Sequence, residues 1–162
     1  MTARAPVESR IGRLCRTPAN PPPEWAPELR DLVREVWLGK PAGVTQFGVN
    51  HVTLQPGDEP AGGHWHEQED EFVFVLSGEI TLIDANGAHV LREGDFVGFP
   101  AGAPNAHALA NRSAAPASYL IVGTRHRGRE TVHYPREGVT RSIVRDEHGM
   151  RVPGSLTTGQ AS

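Results

Sequence analysis

The chain has 162 residues and a formal net charge of −3, which supports one domain around one core and gives no basis for a nucleic-acid partner. Its 18 glycines and 14 prolines suit many short strands joined by turns better than a helical protein. The single cysteine, Cys15, leaves no intramolecular disulfide to form. No stretch has the length and apolarity of a signal core or a membrane span, so a soluble cytoplasmic protein without a membrane partner is expected.

In chain order, residues 1–23 are polar with scattered prolines and end in Pro21-Pro22-Pro23, reading as an extended arm. Residues 24–33 predict a short helix, with Trp25, Leu29 and Leu32 at helical spacing after Pro23. Val36-Trp37-Leu38 begins the sheet, and Gly39 to Gly43 turns it. Val44 to Leu54 alternates as a strand, but neither face is purely apolar. A barrel interior that holds a polar ligand and a subunit interface would both produce that mixture.

Residues 57–78 carry the chemistry. His64 and His66 are two apart, so a strand presents both imidazoles on one side. Glu71 opens the apolar run Phe72 to Leu76 and shares a face with Val73 and Val75. If the acidic loop 67–70 folds back, the Glu71 carboxylate meets the two imidazoles. Two nitrogens and one oxygen on a rigid sheet suit a divalent first-row metal with coordination positions left open. Trp65 should face away from the histidines as a packing residue. Glu67, Glu69 and Asp70 are read as solvated loop residues, with a general acid/base or substitute ligand as the alternative.

Farther along, Ser77-Gly78 turns into a strand over 79–84, and the Asn86-Gly87 step favours a type I′ hairpin. His89 to Leu91 returns, residues 93–95 turn, and Phe96 to Phe99 forms a strand that Pro100 ends. Strands over 107–110 and 117–123 flank a polar turn. Arg125 to Arg129 is a short basic cluster assigned to a loop. Beyond residue 124 periodicity fades: His133-Tyr134 and Ile143-Val144 suggest an edge strand, and 157–162 reads as a frayed terminus. His51 and His89 read as ordinary strand residues.

Residues 57–78 resemble the first motif of the cupin superfamily, Gly-X5-His-X-His-X3,4-Glu-X6-Gly. Glu71 and Gly78 stand where the pattern puts them, and one extra residue between Gly57 and His64 is absorbed by Gly62-Gly63. The second motif, Gly-X5-Pro-X-Gly-X2-His-X3-Asn, is met by Gly94, Pro100 and Gly102, but Asn105 stands in the histidine position. His107-X3-Asn111 restores the ending. Either the turn at 103–105 is two residues longer and His107 is the ligand, or Asn105 takes that position.

The resemblance implies an all-β fold, an antiparallel double-stranded β-helix (jelly-roll cupin barrel), with a short N-terminal helix and extended terminal arms. The implied organisation is an arm over 1–34, the barrel over 35–125 and an extension over 126–162. It implies a ligand set of His64, His66, Glu71 and His107 around one divalent transition metal per chain: iron, manganese, nickel, copper or zinc. More closely, the chain is similar to small single-domain bacterial cupins that carry His-Trp-His-Glu-Gln-Glu-Asp-Glu-Phe, some of which are labelled sugar-phosphate isomerases. The expected function is a metal-dependent enzyme on a small polar molecule, of isomerase, lyase or dioxygenase type. A non-catalytic small-ligand binding or sensing cupin is the alternative, and a structural barrel with a vestigial site a third. Asn105 and Tyr119 are candidate substrate contacts, and Arg92 or Arg112 could reach a phosphorylated substrate. Apolar edge strands and long arms suggest a homodimer.

Overall fold

The computed structural model describes residues 33–59, 62–149 and 151–160. The expected helix over 24–33 lies outside these residues except for Val33, which opens a strand, and the arm over 1–23 lies outside them entirely. Strand β1 runs Val33–Trp37 and is followed by a single helical turn, α1, at Gly39–Ala42. Gly43 ends that turn at φ 75°, a left-handed conformation that glycine adopts without Cβ strain.

The strands that follow are β2 (Phe47–Leu54), β3 (Trp65–His66), β4 (Glu71–Ser77), β5 (Glu79–Asp84), β6 (Gly87–Arg92), β7 (Phe96–Phe99), β8 (Ala108–Ala110) and β9 (Ala117–Thr124). Three more complete the chain: β10 (Gly128–Tyr134), β11 (Val139–Arg145) and β12 (Thr157–Gln160). The architecture is the expected all-β one. A five-stranded sheet has the order β1-β2-β9-β4-β7, a four-stranded sheet β12-β11-β10-β3, and a three-stranded sheet β6-β5-β8. All these pairings are antiparallel. Among the described residues no helix is long and apolar enough to cross a membrane.

Alternation places the core. Val73 and Val75 of β4 are 1% and 0% exposed, whereas Phe72 between Glu71 and Val73 is 40% exposed. Their partners across the sheet, Ile121 and Tyr119 of β9, lie on the same inner face, followed by Asn50 and Val52 of β2. Ile80 and Leu82 of β5 close the core from the other side. Each large aliphatic side chain buried this way contributes roughly 1.5–3 kcal/mol. The face of β2 left open by alternation is thus decided: Gly48, Asn50, Val52 and Leu54 point inward.

Two expectations are corrected. The β5–β6 hairpin closes on the Asp84–Gly87 pair with Ala85 and Asn86 at its tip, and Asn86 does not take a positive φ. A type I′ turn requires one at both central residues. Asp84 explains the difference, because its Oδ1 accepts the Asn86 N–H at 2.8 Å and folds the tip as an Asx turn. The stretch after residue 124 is also more ordered than its sequence pattern suggests. It supplies three strands rather than one edge, and residues 157–160 pair with β11 instead of fraying.

Candidate metal centre

The two imidazoles come from the short β3 segment. His64 forms an isolated bridge with His107, in which each backbone N–H donates to the other's carbonyl at 3.1 and 3.0 Å. His66 pairs with Val132 of β10. Glu71 enters from the start of β4. Together His64, His66 and Glu71 each offer one donor atom within 4.8 Å of the other two. His107 joins through Glu71, with Nε2 3.0 Å from Glu71 Oε2. His64 Nε2 stands 3.7 Å from the same oxygen and His66 Nε2 3.8 Å from Oε1. Donor atoms bound about 2.1 Å from one ion would lie roughly 3.0–3.5 Å apart, close to this spacing.

Hydrogen bonding on the far side of the rings supports the fit. His66 Nδ1 lies 3.2 Å from Glu130 Oε1, and Glu130 is 0% exposed. A carboxylate there fixes the proton on Nδ1 and leaves the Nε2 lone pair free. Nε2 is buried without a hydrogen-bond partner, as is Nδ1 of His64. Glu130 is itself anchored by the backbone N–H groups of Glu67 at 3.2 Å and Gln68 at 3.0 Å. His107 Nδ1 lies 3.3 Å from the carbonyl of Asn105. Nε2, the other nitrogen of that ring, is the one that faces Glu71.

Packing holds the rings. Phe99 stacks on His107 with centroids 3.5 Å apart and planes 2° apart, and Tyr134 stacks on His64 at 5.5 Å. Trp65 faces the other way, as expected, and stacks on His133 at 3.9 Å. Asn105 points elsewhere: its Nδ2 donates to Asp84 at 3.2 Å, and its Oδ1 accepts the Ala85 N–H at 3.1 Å. Asn111 is fully buried and braces the following turn by donating to the carbonyls of Leu54 and Ala115.

Electrostatics follow from this crowding. Burial opposes ionisation of Glu71, but hydrogen bonds from His107 and His64 and the charges of His66 and His64 outweigh it. Its carboxyl is held well below the usual carboxylate range. Burial also disfavours the charged form of His66, yet Glu130, Glu71 and Glu69 together raise its pKa. Burial raises the phenol of Tyr134 despite the opposing charge of Arg141, and so keeps it protonated. Tyr119, a candidate substrate contact, is 5% exposed within the hydrophobic core.

The acidic loop is not uniformly solvated. Glu69 is 3% exposed and takes a two-pronged grip from Arg145, at 2.6 Å from Nε and 3.2 Å from Nη2. Glu67 Oε1 lies 2.8 Å from His133 Nε2, and Asp70 accepts the Ala101 N–H at 2.8 Å. These are structural roles. Of the arginines considered for a phosphorylated substrate, Arg92 is mostly exposed beside Glu79 at 3.1 Å, and Arg112 is exposed on a turn. The side chains missed by sequence reading are Glu130, Glu35 and Arg125. Glu35, on the inner face of β1, accepts from Asn50 Nδ2 at 2.6 Å, and burial raises its pKa.

Comparison with known proteins accords with this geometry. The cupin domain family model matches residues 50–123. A solved structure of a sugar phosphate isomerase from Silicibacter pomeroyi, described as a cupin, is 34% identical; the match covers 95% of this chain and 88% of that one, with a TM-score of 0.72. The chain belongs to the cupin superfamily. A second solved structure, from Acidithiobacillus ferrooxidans and proposed by its name to be a sugar phosphate isomerase, is 30% identical over 77% of this chain and 75% of that one, with a TM-score of 0.64. No curated protein sequence matches the chain. Within this cupin, a cavity of about 70 Å³ opens beside His66, Phe99 and His107.

Proposed function

We propose that this cupin is a metal-dependent enzyme of isomerase or lyase type acting on a small polar molecule. His64, His66, Glu71 and His107 are the ligands of one divalent transition metal in this reading. The observation that carries it is the convergence of three imidazoles on one carboxylate, with Nε2 of His66, the nitrogen that faces Glu71, buried and without a hydrogen-bond partner among the described residues. Retaining such an atom without a partner costs free energy, which an ion would offset. The names of the two relatives support isomerisation over other metal chemistry.

A bound divalent ion supplies Lewis-acid polarisation of a carbonyl or hydroxyl oxygen. The chain's own residues do the rest. Glu130 holds the His66 proton at Nδ1, Phe99 fixes the plane of the His107 ring, and Tyr134 walls the site with a phenol that keeps its proton at the oxygen. Glu71, ionised across the physiological range, sets the negative charge that draws a cation in.

Elemental analysis of protein purified without chelator or nickel affinity resin tests the reading. About one metal per chain, absent from a His64→Ala/His66→Ala control, is the expected result. No metal after reconstitution with iron, manganese, nickel, copper or zinc would defeat it. With metal in place, solvent deuterium entering aldose or ketose phosphates next to the carbonyl would report the isomerase step.

A further inference from the structure

We infer that Arg125 is an oxyanion anchor, holding a phosphate or carboxylate group of the ligand beside the metal centre. The inference rests on the metal-dependent reading and names the ligand class for that same site. Gly48 of β2 pairs with Gly123 of β9, which pairs on its other side with Glu71. The three form one row across the inner face of the sheet. Neither glycine has a positive φ, so no backbone conformation requires glycine there. Space does.

A Cβ at Gly48 would overlap the Arg125 guanidinium, lying 2.5 Å from Cζ. A Cβ at Gly123 would meet Arg125 Nη1 at 3.4 Å and Glu71 Cγ at 3.5 Å. The two missing side chains thus leave the space that the guanidinium occupies, near the Glu71 side chain. The arginine comes from the loop after β9, anchored where the Arg125 N–H donates to the Gln46 carbonyl at 3.0 Å.

Glu69, Glu71 and Glu35 all act on its charge, but among the described residues no carboxylate oxygen comes closer to it than 3.6 Å. Glu69 is gripped by Arg145 and accepts the His126 N–H at 3.0 Å, while Arg125 Nη1 stands off at 3.6 Å. Nη1 also donates to the Thr124 carbonyl at 3.2 Å. A guanidinium carries five N–H donors arranged to match an oxyanion, so several remain. Arg125 also lines a cavity of about 280 Å³ with Thr45, Gln46, Arg127, His148 and Gly149. Among the described residues that lining holds two arginines, a histidine and two neutral polar side chains, and no carboxylate. His148 is exposed, with Glu147 at 3.5 Å outside the lining. Burial and then the charge of Arg145 act against the charged form of Arg125, while Glu69, Glu71 and Glu35 favour it, and an arriving anion would add to the second group. A ligand with a hydroxyl or carbonyl at one end and an oxyanion at the other matches the two neighbouring environments.

Calorimetric titration of metal-loaded, full-length protein with inorganic phosphate, and separately with malonate, tests the anchor. Wild type is expected to bind at least one, with Arg125→Gln weakening it about tenfold or more, as loss of a charge-assisted hydrogen bond implies. Gly48→Ala is the second variant. It keeps the arginine and suits the strand backbone, but fills the space the guanidinium occupies, and should weaken the anion to a similar degree. Metal content should stay at the wild-type level in both. Phosphate binding more tightly than malonate would assign a phosphate ester, and the reverse a carboxylate. Wild-type affinity in both variants, no binding of either anion by wild type, or loss of the metal together with the anion would each overturn the anchor. Absence of metal from wild type would instead strike the enzymatic reading, and phosphate titration of that metal-free protein would still test Arg125.

Discussion

At the level of single side chains, His66 is oriented by a partner 64 residues away in sequence, Glu130. Outer partners of this kind change metal affinity without touching the ion. Glu130→Gln keeps the shape and one acceptor oxygen but removes the charge that favours the Nδ1–H tautomer. Metal affinity, read by competition against a chromophoric chelator, should fall about 10–100-fold. Affinity equal to wild type would show that His66 needs no such partner. The candidate donors were legible because they are local: His64, His66 and Glu71 lie within eight residues, alternation puts the two imidazoles on one face, and a folded-back 67–70 loop brings Glu71 to them. His107 was legible only as one of two options; in the structure its Nε2 faces Glu71, while the Asn105 side chain bonds to Asp84. Glu130, Glu35 and Arg125 left no such mark, since each meets the site through pairing between distant strands or loops.

At the level of elements, the loop between β3 and β4 is tied to β11 by the Glu69–Arg145 pair, whose side chains are only 3% and 13% exposed. Breaking a largely buried pair leaves a charge without compensation. Glu69→Ala should therefore destabilise the fold by about 3–5 kcal/mol, measured by urea unfolding at neutral pH. A change below about 1 kcal/mol would mean that water reaches Arg145 readily. Strands β4 to β9 could be read from apolar alternation and Gly/Pro turns, because one face of each packs against the core. Strands β10 and β11 were legible only as an edge strand around 133–134 and 143–144, short of their full lengths. The face of β10 that meets β3 carries Glu130, Val132 and Tyr134, so residues that serve the site interrupt the period-two pattern that would have revealed it.

At the level of the whole molecule, the outer face of the five-stranded sheet is unusually apolar. Phe47, Phe72 and Phe96 are 42%, 40% and 68% exposed, and the Phe72 and Phe96 rings stack at 5.9 Å. Exposed aromatic rings such as the stacked Phe72–Phe96 pair are costly to leave in water, and they favour the homodimer that the edge strands suggest. Light scattering at micromolar concentration should give about twice the 17.5 kDa chain mass, with Phe72→Glu/Phe96→Glu returning a single chain. A monomeric wild type would end the dimer proposal.

The position of Glu130 also bears on biosynthesis. A chain leaving the ribosome has exposed all four donor residues once His107 has emerged, yet His66 lacks its orienting acceptor until β10 follows. Chains emerge N-terminus first at about 5–20 residues per second, so a nascent site spends seconds with its imidazole tautomers undetermined. In the metal-dependent reading the site is therefore complete only once β10 has paired with β3.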